Sequence, residues 1–300
     1  MLIAVLSCGC DGGSLVSQVA DEAALAPSTP NPDGTVYMCP MDKDVRSHSP
    51  GTCPKCGMAL TSNVPEPVEY RLELHVSPAP TPNAKVRLRF AVFDPWKNNL
   101  VTSFSEIHEK LFHAFIVSRD LQFFVHDHPV WRDDSFIYDV AFPKPGMYRI
   151  LGDFYPDAST PQLITKTVFV AGADTPPASL TRDYSSKEAS NIGVQLQTLP
   201  EQAVAGIKTR LHFTVSPSEG LEKYLGVWSH MLAASDDLID MMHTHPALAD
   251  GGPELYFNVI FPRPRMYRVW VQFQRNGVIN TAHFDVPVVA QVNEDVGPGL

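Results

Sequence analysis

The chain has 300 residues, of which 44% are hydrophobic, enough to bury a large core and about two domains by length. Its formal charge of −10 argues against a nucleic-acid binder, which needs clustered Lys and Arg to meet phosphates, and suits cations better. Pro (27) outnumbers Gly (18) and long 3.6-period apolar stretches are scarce. This pattern predicts a mainly β protein of short strands and turns, and no apolar run is long enough for a transmembrane helix.

Residues 1–10 begin MLIAVLS and end Cys-Gly-Cys. The segment lacks the basic start and apolar length of a secretory signal, yet Val5-Leu6-Ser7-Cys8 resembles a bacterial lipoprotein cleavage box. That resemblance implies lipidation of Cys8, a longer leader ahead of Met1, and a lipid-anchored location in the periplasm or on the outer surface. The alternative is a short N-terminus without a role. Residues 11–34, with their PSTPNPDG run, read as a flexible tether.

The five cysteines lie at 8, 10, 39, 53 and 56, a spacing that points to metal rather than to a disulfide framework. Within 35–61, Cys39, Cys53 and Cys56 form C-x13-C-x2-C, and a C-x2-C turn closed by Gly57 sets two thiolates against a third. Met41 and Met58 follow in C-P-M and C-G-M contexts; thiolate and thioether donors favour copper(I) or zinc. The stretch VYMCPMDKDVRSHSPGTCPKCGMAL, residues 36–60, resembles the small heavy-metal-binding domain found near the N-termini of copper-transporting P-type ATPases and of some periplasmic efflux adaptors. It departs from that family in carrying Asp42-Lys43 where His-Pro is usual. The fourth ligand is therefore open among Asp42, His48, a methionine and water. The resemblance implies a metal efflux transporter or adaptor as protein partner. The competing readings, three thiols packing a mini-fold or forming one disulfide with a spare thiol, have too few apolar residues behind them, so metal is the favoured staple.

Seven strand-like runs follow in 62–172 and seven more in 191–292, separated by a Pro- and Ser-rich linker, 173–190, and ending in a tail, 293–300. The count and spacing resemble two tandem immunoglobulin-like sandwiches. Phe142-Pro-Lys-Pro-Gly-Met-Tyr148-Arg149 and Phe261-Pro-Arg-Pro-Arg-Met-Tyr267-Arg268 match between the copies and resemble the approach to a tyrosine corner.

The copies share a second feature. Leu111–Pro129 and Trp228–Pro246 both read H-x12-H-x-H-P, with His113, His126 and His128 falling on His230, His243 and His245. Ser118/Ser235, Asp120/Asp237 and Leu121/Leu238 also match. On a strand the i, i+2 histidines share a face, and a hairpin turning at Arg119-Asp120-Leu121 brings the first histidine towards that pair. Three imidazoles make a tridentate site for zinc or copper. The alternative is a set of structural histidines inherited by duplication. His48, His75, His108, His212 and His283 have no partner between the repeats and are expected in solvent or local hydrogen bonds, His48 excepted as a candidate for the thiolate module. Met241 and Met242 are expected to be apolar packing residues rather than ligands.

The expectation is a copper- or zinc-type metal-binding protein of the bacterial envelope that sequesters or transfers metal, with the membrane engaged only through a lipid anchor. The alternatives are a structural or interaction protein carrying a metal module, and a three-histidine metal-dependent hydrolase or oxidase. Against the enzyme, no general base, phosphate loop or nucleophile elbow accompanies the histidines.

Overall fold

A computed structural model describes residues 36–41, 45–63, 68–247 and 249–291. Cys8, Cys10, Asp42, the tether and the tail lie outside the described residues.

Three short strands, β1 (Val36–Met38), β2 (Arg46–Ser47) and β3 (Thr61–Asn63), form a small sheet in the order β2-β1-β3. Repeat 1 contains β4 (Arg71–Ser77), β5 (Lys85–Phe93), β6 (Phe112–Ser118), β7 (Phe124–Asp127), β8 (Val130–Arg132), β9 (Ser135–Ala141), β10 (Gly146–Phe154) and β11 (Gln162–Val170). They make two sheets, β4-β5-β9-β8 and β11-β10-β6-β7. Repeat 2 contains β12 (Lys187–Glu188), β13 (Gly193–Leu199), β14 (Ala203–Val204), β15 (Lys208–Ser216), β16 (Leu221–Glu222), β17 (His230–Ser235), β18 (Met241–Thr244), β19 (Glu254–Ile260), β20 (Met266–Arg275) and β21 (Val278–Val289). Its sheets run β12-β13-β15-β19 and β14-β21-β20-β17-β18, with β16 on β20. The chain is a Cys-rich module followed by two tandem β-sandwiches, as the strand count predicts.

Each core follows from alternation. On β5, Val86, Leu88, Phe90 and Val92 are buried while Lys85, Arg87 and Arg89 face solvent, the pattern of a sheet with one wet face. Both tyrosine corners form: Tyr148 Oη donates to Lys144 O at 2.8 Å, and Tyr267 Oη accepts from Arg263 N at 3.3 Å while donating to Asp240 Oδ2 at 2.7 Å.

The central strands break the alternation. All seven residues of β6 and all six of β17 are buried. Phe112, Ala114 and Ile116 enter the repeat 1 core, whereas Phe115 and Val117, on the opposite face, join Leu121, Leu151, Leu232, Ala234, Leu238 and Trp270 in a separate apolar cluster. The two sandwiches therefore pack face to face through their β6 and β17 sheets.

The stretch read as a linker straps this interface. Ala178 and Leu180 pack against the cluster, Ala178 N donates to Arg119 O at 3.2 Å, and Asp183 pairs with Asp285 through two backbone hydrogen bonds. Lys187 and Glu188, read as linker from their neighbours' composition, pair with β13.

The Cys-rich module is docked as well. Arg46 Nη2 lies 3.0 Å from Asp94 Oδ2, with both side chains under a tenth exposed, and its guanidinium sits 4.5 Å from the Trp96 ring centre. Removing one partner of a buried ion pair leaves the other uncompensated. Arg46→Ala is thus expected to release the module, seen as at least tenfold faster amide exchange in β1 and β2, while the melting of the sandwiches stays unchanged.

Candidate metal centres

The thiolate site rests on one tight turn. Gly57, at φ +73°, donates from its N to Cys53 O at 2.8 Å, and Cys53 N donates to Met58 O at 2.8 Å. The left-handed backbone is the reason for glycine there. Cys39 arrives from the end of β1, pinned by a hydrogen bond from its N to Val45 O at 3.0 Å. The three sulfurs lie within 4.8 Å of one another, Cys39 Sγ and Cys56 Sγ at 3.4 Å. A backbone hydrogen bond from Met58 lowers the Cys56 thiol, but desolvation and the neighbouring thiols outweigh it and push it up to about 11. The crowding disfavours isolated thiolates, so the site calls for a cation to hold them. Met41 and Met58 are 66% and 43% exposed. His48, one of the fourth-ligand candidates, turns to repeat 1 instead, where Ala158 N donates to its Nε2 at 3.2 Å and Asp157 Oδ1 lies at 3.1 Å.

The histidine sites begin with the hairpin turn. Ser118 Oγ donates to Asp120 Oδ1 and accepts from Phe123 N at 2.9 Å, while Gln122 N donates to Asp120 Oδ1 at 3.1 Å. Ser235, Asp237, Asp240 and Ile239 repeat the arrangement. Leu121 and Leu238 sit at φ +57° and +56° yet are buried in the interface. Interface packing thus holds a leucine where glycine is easier. The matched Ser, Asp and Leu fix a register in which Ala114 faces Asp127 and Met231 faces Thr244, one step from His113 opposite His128 and from His230 opposite His245.

In repeat 1, His113 Nδ1 lies 3.2 Å from both His126 Nε2 and His128 Nε2. In repeat 2, His230 Nδ1 lies 3.4 Å from His243 Nε2 and 3.1 Å from His245 Nε2. Nitrogens bound 2.0–2.1 Å from one tetrahedral ion stand about 3.3 Å apart.

The outer nitrogens set the tautomers. His113 Nε2 donates to Ile107 O and His230 Nε2 to Tyr224 O, both at 3.0 Å. His126 Nδ1 donates to Gln272 Oε1 at 2.7 Å, and His243 Nδ1 to Asp153 Oδ2 at 2.6 Å. The Gln272 amide nitrogen donates to Thr281 Oγ1 at 3.0 Å, which leaves its oxygen for His126. Each site therefore turns two lone pairs towards each other, on His113 and His126 or on His230 and His243. Carbonyl and carboxylate partners on the outer nitrogen are the usual support of a metal-bound imidazole.

Burial keeps the rings neutral. Desolvation lowers His126 and His243 well below the ordinary histidine range, with neighbouring histidine charges adding to it, and brings His128 to about 4. Desolvation raises Asp153 to about 6.

Three contributors escaped sequence reasoning. Asp153 and Gln272 reach across the interface, each serving the other repeat; they occupy the same offset of 119 as the two tyrosine corners, but their identities differ. His108, expected in solvent or local hydrogen bonds, packs across the interface against His245, ring centres 3.9 Å apart and tilted by 42°. Its turn, at φ +50°, aims it there, and no repeat match signals it because Leu225 stands at the equivalent place. Met241 packs at the interface and Met242 against the repeat 2 core, as expected.

Residues 36–63 match a family model described as a heavy metal binding domain. A copper-transporting P-type ATPase of Rhizobium leguminosarum bv. viciae is 64% identical over 31 residues, covering 10% of this chain and 4% of that protein, so the chain spans only a small part of that relative. Among solved structures, a two fibronectin type-III domain segment from chicken tenascin is 10% identical, covering 73% of this chain and 99% of that one at a TM-score of 0.24. The fibronectin(III)-like modules of Clostridium thermocellum CbhA are 8% identical, covering 73% of this chain and 95% of that one at 0.21. These scores are too low to argue from, and the fold rests on the sheets themselves. Residues 64–171 and 187–290 match one family model twice, over more than half of the chain: the protein belongs to the family described as a domain of unknown function (DUF8832), and carries a heavy-metal-binding domain ahead of its two copies.

Proposed function

We propose that this chain is a metal-sequestering or metal-transferring protein of the bacterial envelope, a binding protein rather than an enzyme, with three sites. The thiolates of Cys39, Cys53 and Cys56 hold a soft ion, copper or zinc, and exchange it with an efflux transporter or adaptor. The triads His113/His126/His128 and His230/His243/His245 hold a second pool between the sandwiches. The observation that carries the histidine sites is the facing lone pairs. Two acceptor nitrogens at 3.2–3.4 Å with no proton between them repel, and a cation turns that repulsion into ligation. Cys8 lipidation would place the protein at the membrane surface. The module's family and its copper-transporting relative support the choice of metal; the negative charge suits cation capture.

The test is metal stoichiometry of the full chain with Cys8, Cys10, Cys39, Cys53 and Cys56 all replaced by serine, equilibrated with Zn(II), Cu(II) or Cu(I). Two ions per chain are expected, falling to one in His126→Ala/His128→Ala and to none when His243→Ala/His245→Ala is added. Retention of no ion would reduce the histidines to structural residues, leaving a heavy-metal module on two interaction domains.

A further inference from the structure

The two triads are built alike, but their supports differ. Around the first, the ring nitrogen of His126 meets the neutral amide of Gln272; around the second, that of His243 meets the carboxylate of Asp153. Asp153 pairs with His113 on β10 and β6 as Gln272 pairs with His230 on β20 and β17. The two supports therefore occupy equivalent places, and the substitution is one of charge. His243 is 1% exposed and Asp153 16% at the side chain, so water screens this pair poorly.

Resting on the three-histidine reading above, we propose that the sites are chemically unequal: His230/His243/His245 is the tight site for a divalent cation, His113/His126/His128 the weaker one, and the residue pair Asp153/Gln272 sets the difference. A carboxylate behind a ligating imidazole raises its basicity and offsets part of the ion's charge through the ring; an amide orients the ring without supplying charge. Because each support comes from the opposite repeat, neither site keeps its rank unless the sandwiches are docked.

The inequality is legible in Zn(II) competition against a chromophoric chelator, using the full chain with all five cysteines replaced by serine. Two classes of site separated 10–100-fold in dissociation constant are expected. His243→Ala/His245→Ala removes the tighter class and His126→Ala/His128→Ala the weaker. Asp153→Asn keeps an acceptor for the His243 N–H while deleting the charge, and brings the classes to within about threefold of each other. Gln272→Glu tightens the weaker class, a gain that a merely structural role does not produce. One class of site in the parent chain, or a tight class that survives Asp153→Asn, overturns the inequality while leaving two metal sites in place. Absence of any bound zinc overturns the three-histidine reading itself, and this proposal with it.

Discussion

Trp270→Ala is expected to destabilise the protein by about 3–5 kcal/mol, the cost of emptying a large buried aromatic site, and to weaken both histidine sites together. Trp270 is 3% exposed and stacks on Phe124 of the other repeat at 4.9 Å and 9°, within the cluster that joins the sandwiches. Loosening that cluster separates His126 from Gln272 and His243 from Asp153, and the loss of such supports typically costs 10–100-fold in affinity. Phe90→Ala removes a comparable ring from the repeat 1 core and serves as the control: similar loss of stability, with both affinities kept within about threefold. Chelator competition on folded samples separates the two outcomes. Should Trp270→Ala fail to fold, Leu232→Ala, at about 2–5 kcal/mol, probes the same cluster.

Acid is the second strong lever. His128, held near 4 when folded, has an unfolded value near 6.5. Between those values the unfolded chain binds more protons, so metal-free stability falls as pH drops from about 6.5 to 4, by about 1.4 kcal/mol per pH unit for each such imidazole. His126, His230, His243 and His245 are displaced in the same direction by burial. Asp153, raised to about 6, acts oppositely, binding its proton more readily in the folded state, but it is one group against several. Metal adds stability without steepening this slope above about pH 4, because the folded rings are already neutral there and protons compete for the ligating nitrogens only below their folded values. At pH 7.5, a site held at a thousand times its Kd adds about 4 kcal/mol. Melting of zinc-loaded and metal-free chain with all five cysteines replaced by serine is expected to show both less stable at pH 4.5 than at pH 7.5, with the gap between them kept, since the folded imidazoles stay neutral to about pH 4. Metal-free stability that does not fall between pH 6.5 and 4.5 would argue against neutral buried imidazoles.

Much of this architecture is written in repeated residues. The strand count and the tyrosine corners give the sandwiches, the spacing of Cys39, Cys53 and Cys56 gives the thiolate module, and H-x12-H-x-H-P gives both triads. The interface is less visible because a sequence states which residues are apolar and leaves open what covers them. One clue exists: Phe115 and Val117 lie on the histidine face of β6, so that strand is apolar on both sides, as strands covered on both faces are. Asp153 and Gln272 stay hidden because their work is done in the other repeat. Residues 173–190 read as a linker from composition, and their backbone hydrogen bonds and Ala178 and Leu180 tie them to the interface.

The most direct test is anomalous diffraction at the zinc edge from crystals of the zinc-loaded full chain. The account predicts one peak among Cys39, Cys53 and Cys56, and two more between the sandwiches, each about 2.0–2.1 Å from three imidazole nitrogens: Nδ1 of the first histidine and Nε2 of the other two. A map with density at the thiolates alone, and protons or water between the histidines, would contradict it.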